Sequence, residues 1–153
     1  MNYLYPEKVL NELGFLANRN YKLVFTNGCF DILHSGHIRT LKFAKKFGDK
    51  LIVALNSDES IFQLKGKTRP IVPLIHRINV VSALEMVDFV TYFEELTPIN
   101  ILKSLKPEVL IKGEDYKNKE IVGSEYCKDI VLSPFYNDTS TSLIIDRYMD
   151  KIK

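Results

Sequence analysis

The chain has 153 residues, 46% of them hydrophobic and 26% charged, with 7 glycines and 6 prolines. That length suits one domain, 1–153, with a proper core, and the composition excludes intrinsic disorder. A formal charge of +2 and 2 cysteines supply neither a field that gathers nucleic acid nor a disulfide framework, so no nucleic-acid partner and a reducing, cytoplasmic setting are expected.

No basic region leads into an apolar segment at the N-terminus, and no apolar run reaches membrane-spanning length, so neither a targeting signal nor a membrane anchor is expected. After Pro6, Val9, Leu10, Leu13 and Leu16 recur at helical spacing, which predicts a short amphipathic helix within residues 1–20 that covers an edge of a sheet. Residues 21–153 form the expected core. Leu23-Val24-Phe25 reads as a buried strand, predicted over 22–26, and Ile38, Leu41 and Ala44 mark a helix reaching about residue 47, with Gly48 as its C-cap. Lys42, Lys45, Lys46 and Lys50 read as its solvated face.

Leu51-Ile52-Val53-Ala54-Leu55 is a second continuous apolar run, the mark of a parallel strand covered on both faces. Asn56-Ser57-Asp58-Glu59-Ser60 suits a helix start. The basic stretch Leu64-Lys65-Gly66-Lys67-Thr68-Arg69-Pro70 is open to two readings, a surface loop or a phosphate-binding loop. Pro73 opens a helix whose buried side carries Leu74, Ile78, Val81 and Leu84. Strands are predicted over 87–93, 108–112 and 128–132, with a helix between the first two, capped by Thr97 and carrying Pro98 at its first position. Ser140, Thr141 and Ser142 precede a C-terminal helix; by themselves they suit an N-cap. Alternating strands and helices predict an α/β, doubly wound, mostly parallel five-stranded sheet with helices on both faces.

The stretch Thr26-Asn27-Gly28-Cys29-Phe30-Asp31-Ile32-Leu33-His34-Ser35-Gly36-His37 is then a strand-to-helix turn at the carboxyl edge of the sheet. Helix N-termini there offer unpaired N–H groups to anions. His34 and His37 flank the first helical turn, so both imidazoles can address one phosphate, and Gly36 leaves the approach bare. A zinc site needs three or four ligands, and His76 is the one histidine left, so no metal site is expected. Cys29 lacks an evident base partner and reads poorly as a nucleophile. Gly-x-Gly-x-x-Gly and Walker loops are missing, which disfavours dehydrogenase and P-loop chemistry.

The same stretch resembles the HxGH motif of the nucleotidyltransferase superfamily (cytidylyltransferase-like), and its full length is similar to the heptose-1-phosphate adenylyltransferase (ADP-heptose synthase) branch. Leu64 to Pro70 resembles the Leu-Lys-Gly-x-x-Arg-Pro of that branch, Val87-Asp88 and Glu95-x-Thr97-Pro98 match it, and Lys112 to Tyr116 resembles its Lys-Gly-Gly-Asp-Tyr. The resemblance implies a Rossmann-like transferase that moves a nucleoside monophosphate from an NTP, with ATP expected, to a sugar 1-phosphate such as D-glycero-D-manno-heptose 1-phosphate. It implies His34, His37, Lys65 and Arg77 as catalytic residues, with Lys67 as second choice to Lys65. Thr26, Asn27, Gly28, Phe30, Asp31, Gly36, Asp115, Ser140, Thr141 and Ser142 are implied as nucleotide-binding, Asp31 orienting the turn or meeting the acceptor. Mg²⁺ would arrive with the NTP; a homodimer and a separate sugar kinase are the implied partners. Departures stand at His76, at Glu114 in place of a glycine and at Asp138 in place of another. The alternatives are a cytidylyltransferase for glycerol 3-phosphate or another polyol phosphate, and a non-catalytic nucleotide-binding module.

Overall fold

The computed structural model describes residues 20–134 and 138–152; the predicted N-terminal helix lies outside them. The apolar runs become strands β1 (Leu23–Gly28), β2 (Lys50–Asn56), β3 (Phe89–Phe93), β4 (Val109–Gly113) and β5 (Asp129–Ser133). They form one sheet in the order β3-β2-β1-β4-β5, and every neighbouring pair is parallel. Near-continuous apolar strands are what such a sheet requires, because helices bury both of its faces. The helices are α1 (Ser35–Lys45), α2 (Asp58–Lys65), α3 (Leu74–Ser82), α4 (Ile99–Leu105) and α5 (Thr141–Lys151).

Strand alternation divides the core. Val24, Leu51, Val53, Leu55, Val90 and Ile111 pack with Leu41 and Ala44 of α1 and Ile78 and Val81 of α3. On the other face Leu23, Phe25, Ile52, Ala54 and Leu110 meet Ile101, Leu102 and Leu105 of α4. Each fully buried large aliphatic or aromatic side chain contributes roughly 1.5–3 kcal/mol. The chain builds β1, β2 and β3 outward on one side and then returns to lay β4 and β5 on the other. The order therefore reverses between β1 and β4, and a crevice opens above their carboxyl ends.

Strands β1, β4 and β5 start one residue later than the sequence predicts, and three further boundaries differ for physical reasons. Helix α1 stops at Lys45 and its cap, Lys46, stays right-handed, so Gly48 is not a left-handed C-cap. Its role is close approach: a Cβ there would stand 2.6 Å from the Lys22 carbonyl oxygen and 2.7 Å from Val24 Cγ2. Strand β3 begins at Phe89 rather than residue 87. The Asp88 carboxylate before it is engaged by Lys45, Lys50 and the Leu51 N–H, which anchors the strand entry. Pro98 is itself the cap of α4, and Thr97 lies outside the helix.

The β1–β4 seam is reinforced by side chains. The Leu23 N–H donates to Glu108 Oε2 at 2.9 Å, Thr26 Oγ1 to the Ile111 carbonyl at 3.1 Å, and Lys112 Nζ to Asn27 Oδ1 at 2.6 Å.

Candidate active site

From the end of β1 the backbone turns through Phe30, at φ 47°, a left-handed conformation that costs a bulky residue about 1–2 kcal/mol. Packing holds it there. The Phe30 ring is buried against Gly28, where a Cβ would stand 3.2 Å from it, and its centroid lies 5.0 Å from that of His37. Asp31 follows, also buried, and accepts hydrogen bonds from the Ile71 N–H, the Val72 N–H and Arg69 Nε. Burial alone would push its carboxyl up, but those N–H groups and the Arg69 charge hold it below the usual carboxylate range. Asp31 thus fastens the loop after α2 to the turn, which is the orienting half of its expected role.

His34 is the extended N-cap of α1. Its N–H donates to His37 Nδ1 at 3.4 Å, and the two rings stack with centroids 3.8 Å apart. The hydrogen-bond network assigns His37 the tautomer with its proton on Nε2, since Nδ1 accepts. Burial, then the neighbouring His34, pulls His37 down to about 4. Burial lowers His34 as well, against the opposing pull of Asp138. Both shifts favour the uncharged imidazole. Gly36 serves a purpose the sequence reading assigned to phosphate: a Cβ would stand 3.0 Å from His34 Nδ1 and 3.1 Å from Thr139 Cγ2, so its bareness admits the His34 ring and the approach to α5.

Three segments meet in one open cleft. The β1–α1 turn supplies Cys29, Phe30, Asp31, His34 and His37; Lys65 and Arg69 come from the end of α2 and the loop after it; Ser140, Thr141 and Ser142 come from the start of α5. Ser140 is also the N-cap of α5, its Oγ accepting from the Leu143 N–H at 3.1 Å. Ser140 therefore caps α5 and lines the cleft at once. Asp138 is tied to Arg39 at 2.9 Å, at an exposed pair.

Other predicted residues lie away from the cleft. Arg77 is 1% exposed; it donates from Nε to the Val72 carbonyl, from Nη1 to those of Cys29 and Asn56, and from Nη2 to Asp58 Oδ1 at 2.6 Å. Its guanidinium stitches the β1 turn, the end of β2 and the loop before α3, and does not line the cleft. Thr26 and Asn27 serve the β1–β4 seam. Asp115 is exposed beyond β4 in a short 3₁₀ turn, and Lys67 is exposed outside the cleft lining.

Sequence reasoning passed over Arg69 and Lys112. Arg69 stood in the basic loop without a role; its neighbour across space, Asp31, is not visible from spacing. Lys112 is buried beside Asn27, with the Tyr116 ring centroid 5.1 Å from Nζ. Burial brings it down to about 8, against the pull of Asp115. Burial likewise raises the Cys29 thiol, despite Lys65, Arg77 and Arg69, so Cys29 sits in the cleft protonated, a poor nucleophile.

Residues 25–147 match the family model described as cytidylyltransferase-like. The chain is 53% identical over 135 residues to the bifunctional protein HldE of Helicobacter pylori (strain Shi470), covering 88% of this chain and 29% of that protein. It is 49% identical over 138 residues to the protein of the same name from Campylobacter fetus, covering 90% and 30%. The chain therefore spans about 30% of the length of the curated relatives it matches. Among solved structures, the lipopolysaccharide core biosynthesis protein from Thermoplasma volcanium matches with a TM-score of 0.64 at 30% identity, over 76% of this chain and all of that one. The pantoate-beta-alanine ligase from Francisella tularensis, at 19% identity and a TM-score of 0.61 over 99% of this chain and 78% of that one, shares the fold. No helix among the described residues is long and apolar enough to cross a membrane.

Proposed function

The chain belongs to the cytidylyltransferase-like family, and from that premise we propose that it is a nucleotidyltransferase joining the nucleoside monophosphate of ATP to D-glycero-D-manno-heptose 1-phosphate, with release of pyrophosphate. The observation that carries the reading is the stacked His34–His37 pair at the start of α1, sharing a cleft with Lys65, Arg69 and the start of α5. The branch, and with it the base and the sugar, rests on the sequence resemblance and on the relatives named HldE.

An acceptor phosphate oxygen is already anionic, so no general base is needed. It attacks the α-phosphorus in line, the new P–O bond forms as the bond to the β-phosphate oxygen breaks, and pyrophosphate leaves with that electron pair. Catalysis then consists of holding the two phosphates in place and stabilising the charge that develops between them. His37 Nε2–H and the His34 ring act as donors to the α-phosphate and the departing oxygen. A bound polyanion draws both imidazoles towards protonation, so their help grows as charge accumulates. Ser140, Thr141, Ser142 and the N–H groups at the start of α5 receive the β- and γ-phosphates. Lys65 adds positive charge at the cleft rim.

Arg77 acts in this reading through the turn that it fastens, as do Thr26, Asn27, Gly28, Phe30 and Gly36. Asp115 is assigned to the nucleoside. The carboxylates nearest the cleft are engaged, Asp31 by Arg69 and backbone and Asp138 by Arg39, so Mg²⁺ fits best as part of the incoming nucleotide complex, neutralising phosphate charge. A cytoplasmic homodimer, with a sugar kinase supplying the acceptor, completes the proposal.

The test is pyrophosphate release from ATP and, in parallel, CTP with Mg²⁺, using D-glycero-D-manno-heptose 1-phosphate and glycerol 3-phosphate as acceptors. Release with ATP and the heptose phosphate is expected. Release with CTP and glycerol 3-phosphate alone would make the chain a polyol-phosphate cytidylyltransferase, and nucleotide binding without turnover on either acceptor would make it a binding module.

A further inference from the structure

We infer that Arg69 is the residue that grips the phosphate of the acceptor, and that Asp31 is the positioning residue that aims it. The inference rests on the transferase reading above. Strand order separates the cations and hydroxyls of the cleft into two flanks. Lys65 and Arg69 follow β2, one strand to one side of β1, whereas Ser140–Ser142 follow β5, two strands to the other side. The His34–His37 pair stands between them, at the end of β1 itself. An in-line displacement needs the nucleophile and the leaving group on opposite sides of the α-phosphorus. With pyrophosphate departing towards the helix start of α5, the acceptor must approach from the flank of Lys65 and Arg69.

Among the cations on that flank, Arg69 alone is both oriented and unfinished. Its side chain is 13% exposed, and Nε is locked to Asp31 Oδ2 at 2.5 Å. Asp31 is itself immobilised by the Ile71 and Val72 N–H groups, each at 2.8 Å from Oδ1. Of the guanidinium nitrogens of Arg69, Nε alone is bonded among the described residues, so both Nη groups remain to form a two-pronged contact with phosphate oxygens. Lys65 is exposed on the surface, and the donors of Arg77 are committed to the backbone and Asp58. A guanidinium held at its stem and open at its fork is suited to recognising a phosphate monoester rather than a neutral sugar.

The experiment is steady-state pyrophosphate release with ATP and D-glycero-D-manno-heptose 1-phosphate, each varied in turn, for the unmutated chain, Arg69→Ala, Arg69→Lys and Asp31→Asn, with thermal melting and ATP binding recorded for each. Arg69→Ala is expected to raise KM for the heptose phosphate about 10- to 100-fold and leave KM for ATP within about twofold. Arg69→Lys recovers part of the loss, having charge without the fork, and Asp31→Asn raises the same KM. Arg69→Gln replaces Arg69→Ala if the latter does not fold. An unchanged acceptor KM in the folded variants, or a rise that falls on ATP instead, overturns the assignment while the transferase reading stands. No turnover by the unmutated chain overturns that reading, and the inference with it.

Discussion

Two helix starts face the same cleft, and they are seated in different ways. Helix α1 is embedded: Leu41 and Ala44 are 0% exposed, and its first turn is locked by the histidine stack and the buried Phe30 ring. Helix α5 has no buried residue; Leu143, Tyr148 and Met149 are exposed, and its start is tied to α1 by the surface pair Arg39–Asp138. Both termini present N–H groups to an anion, but one is rigid to the depth of the core and the other belongs to the low-stability end of the molecule. The comparison teaches that the two starts are fixed to different degrees, and under the proposed mechanism the embedded one, α1, holds the reacting phosphorus while α5 meets the leaving group.

The strongest way to break that division is to loosen what holds the rigid side. Arg77→Ala leaves the Asp58 carboxylate and three carbonyl groups without their shared donor and should cost about 3–5 kcal/mol in urea unfolding; a loss under about 1 kcal/mol would show that the β1 turn does not depend on it. His34→Ala and His37→Ala should each lower kcat about 100- to 1000-fold, in proteins that remain folded. Full turnover by a folded His34→Ala protein would remove the core of the proposed mechanism.

Acid should act on the α1 side first. The His37 folded value, about 4, lies below its ordinary 6.5, so between those values the unfolded chain binds the extra proton and stability rises with pH. The contribution is complete above about pH 6.5 and is lost as pH falls towards 4, a span worth about 3 kcal/mol. Urea unfolding across that range should show the loss, and His37→Gln should flatten it. An equal loss in His37→Gln would assign the acid response elsewhere.

Changes on the α5 side should be smaller. Ser140→Ala removes the cap and should destabilise the protein by about 1 kcal/mol, with a rise in KM for ATP larger than the fall in kcat; the reverse ratio would make α5 part of the rigid apparatus. Smallest of all, Asp138→Asn at the exposed pair should shift stability by less than about 0.5 kcal/mol in the same unfolding assay.

The fold was legible because burial on both faces writes itself into a parallel strand as an unbroken apolar run, as at Leu51 to Leu55. Sheet order was not legible, since nothing in Val109-Leu110-Ile111 says which strand it will adjoin. The same limit governed the site. His34, Gly36 and His37 are close in sequence, so local spacing conveyed their shared turn. Arg77 is separated by 48 residues from Cys29, whose carbonyl it caps, and its burial left no mark in a helix that reads as amphipathic. Arg69 looked like one more charge in a basic loop, because its partner Asp31 lies 38 residues upstream. Gly48 was read as a helix stop since that is the commonest use of glycine there; its actual constraint is the Lys22 carbonyl, which arrives through tertiary packing.

The side-chain bonds along the β1–β4 seam all join residues 85 apart. During synthesis β1, β2 and β3 can associate early, yet the central strand keeps one open, apolar edge until β4 has been made. Pairings of such long range are slow to form and leave chains prone to aggregate while they wait. The seam also ends at Asn27, immediately before the turn that lines the cleft, so docking of β4 completes the frame of that cleft. Catalytic competence would thus emerge late on the folding pathway, and recovered turnover in a refolding experiment would time the closure of the sheet.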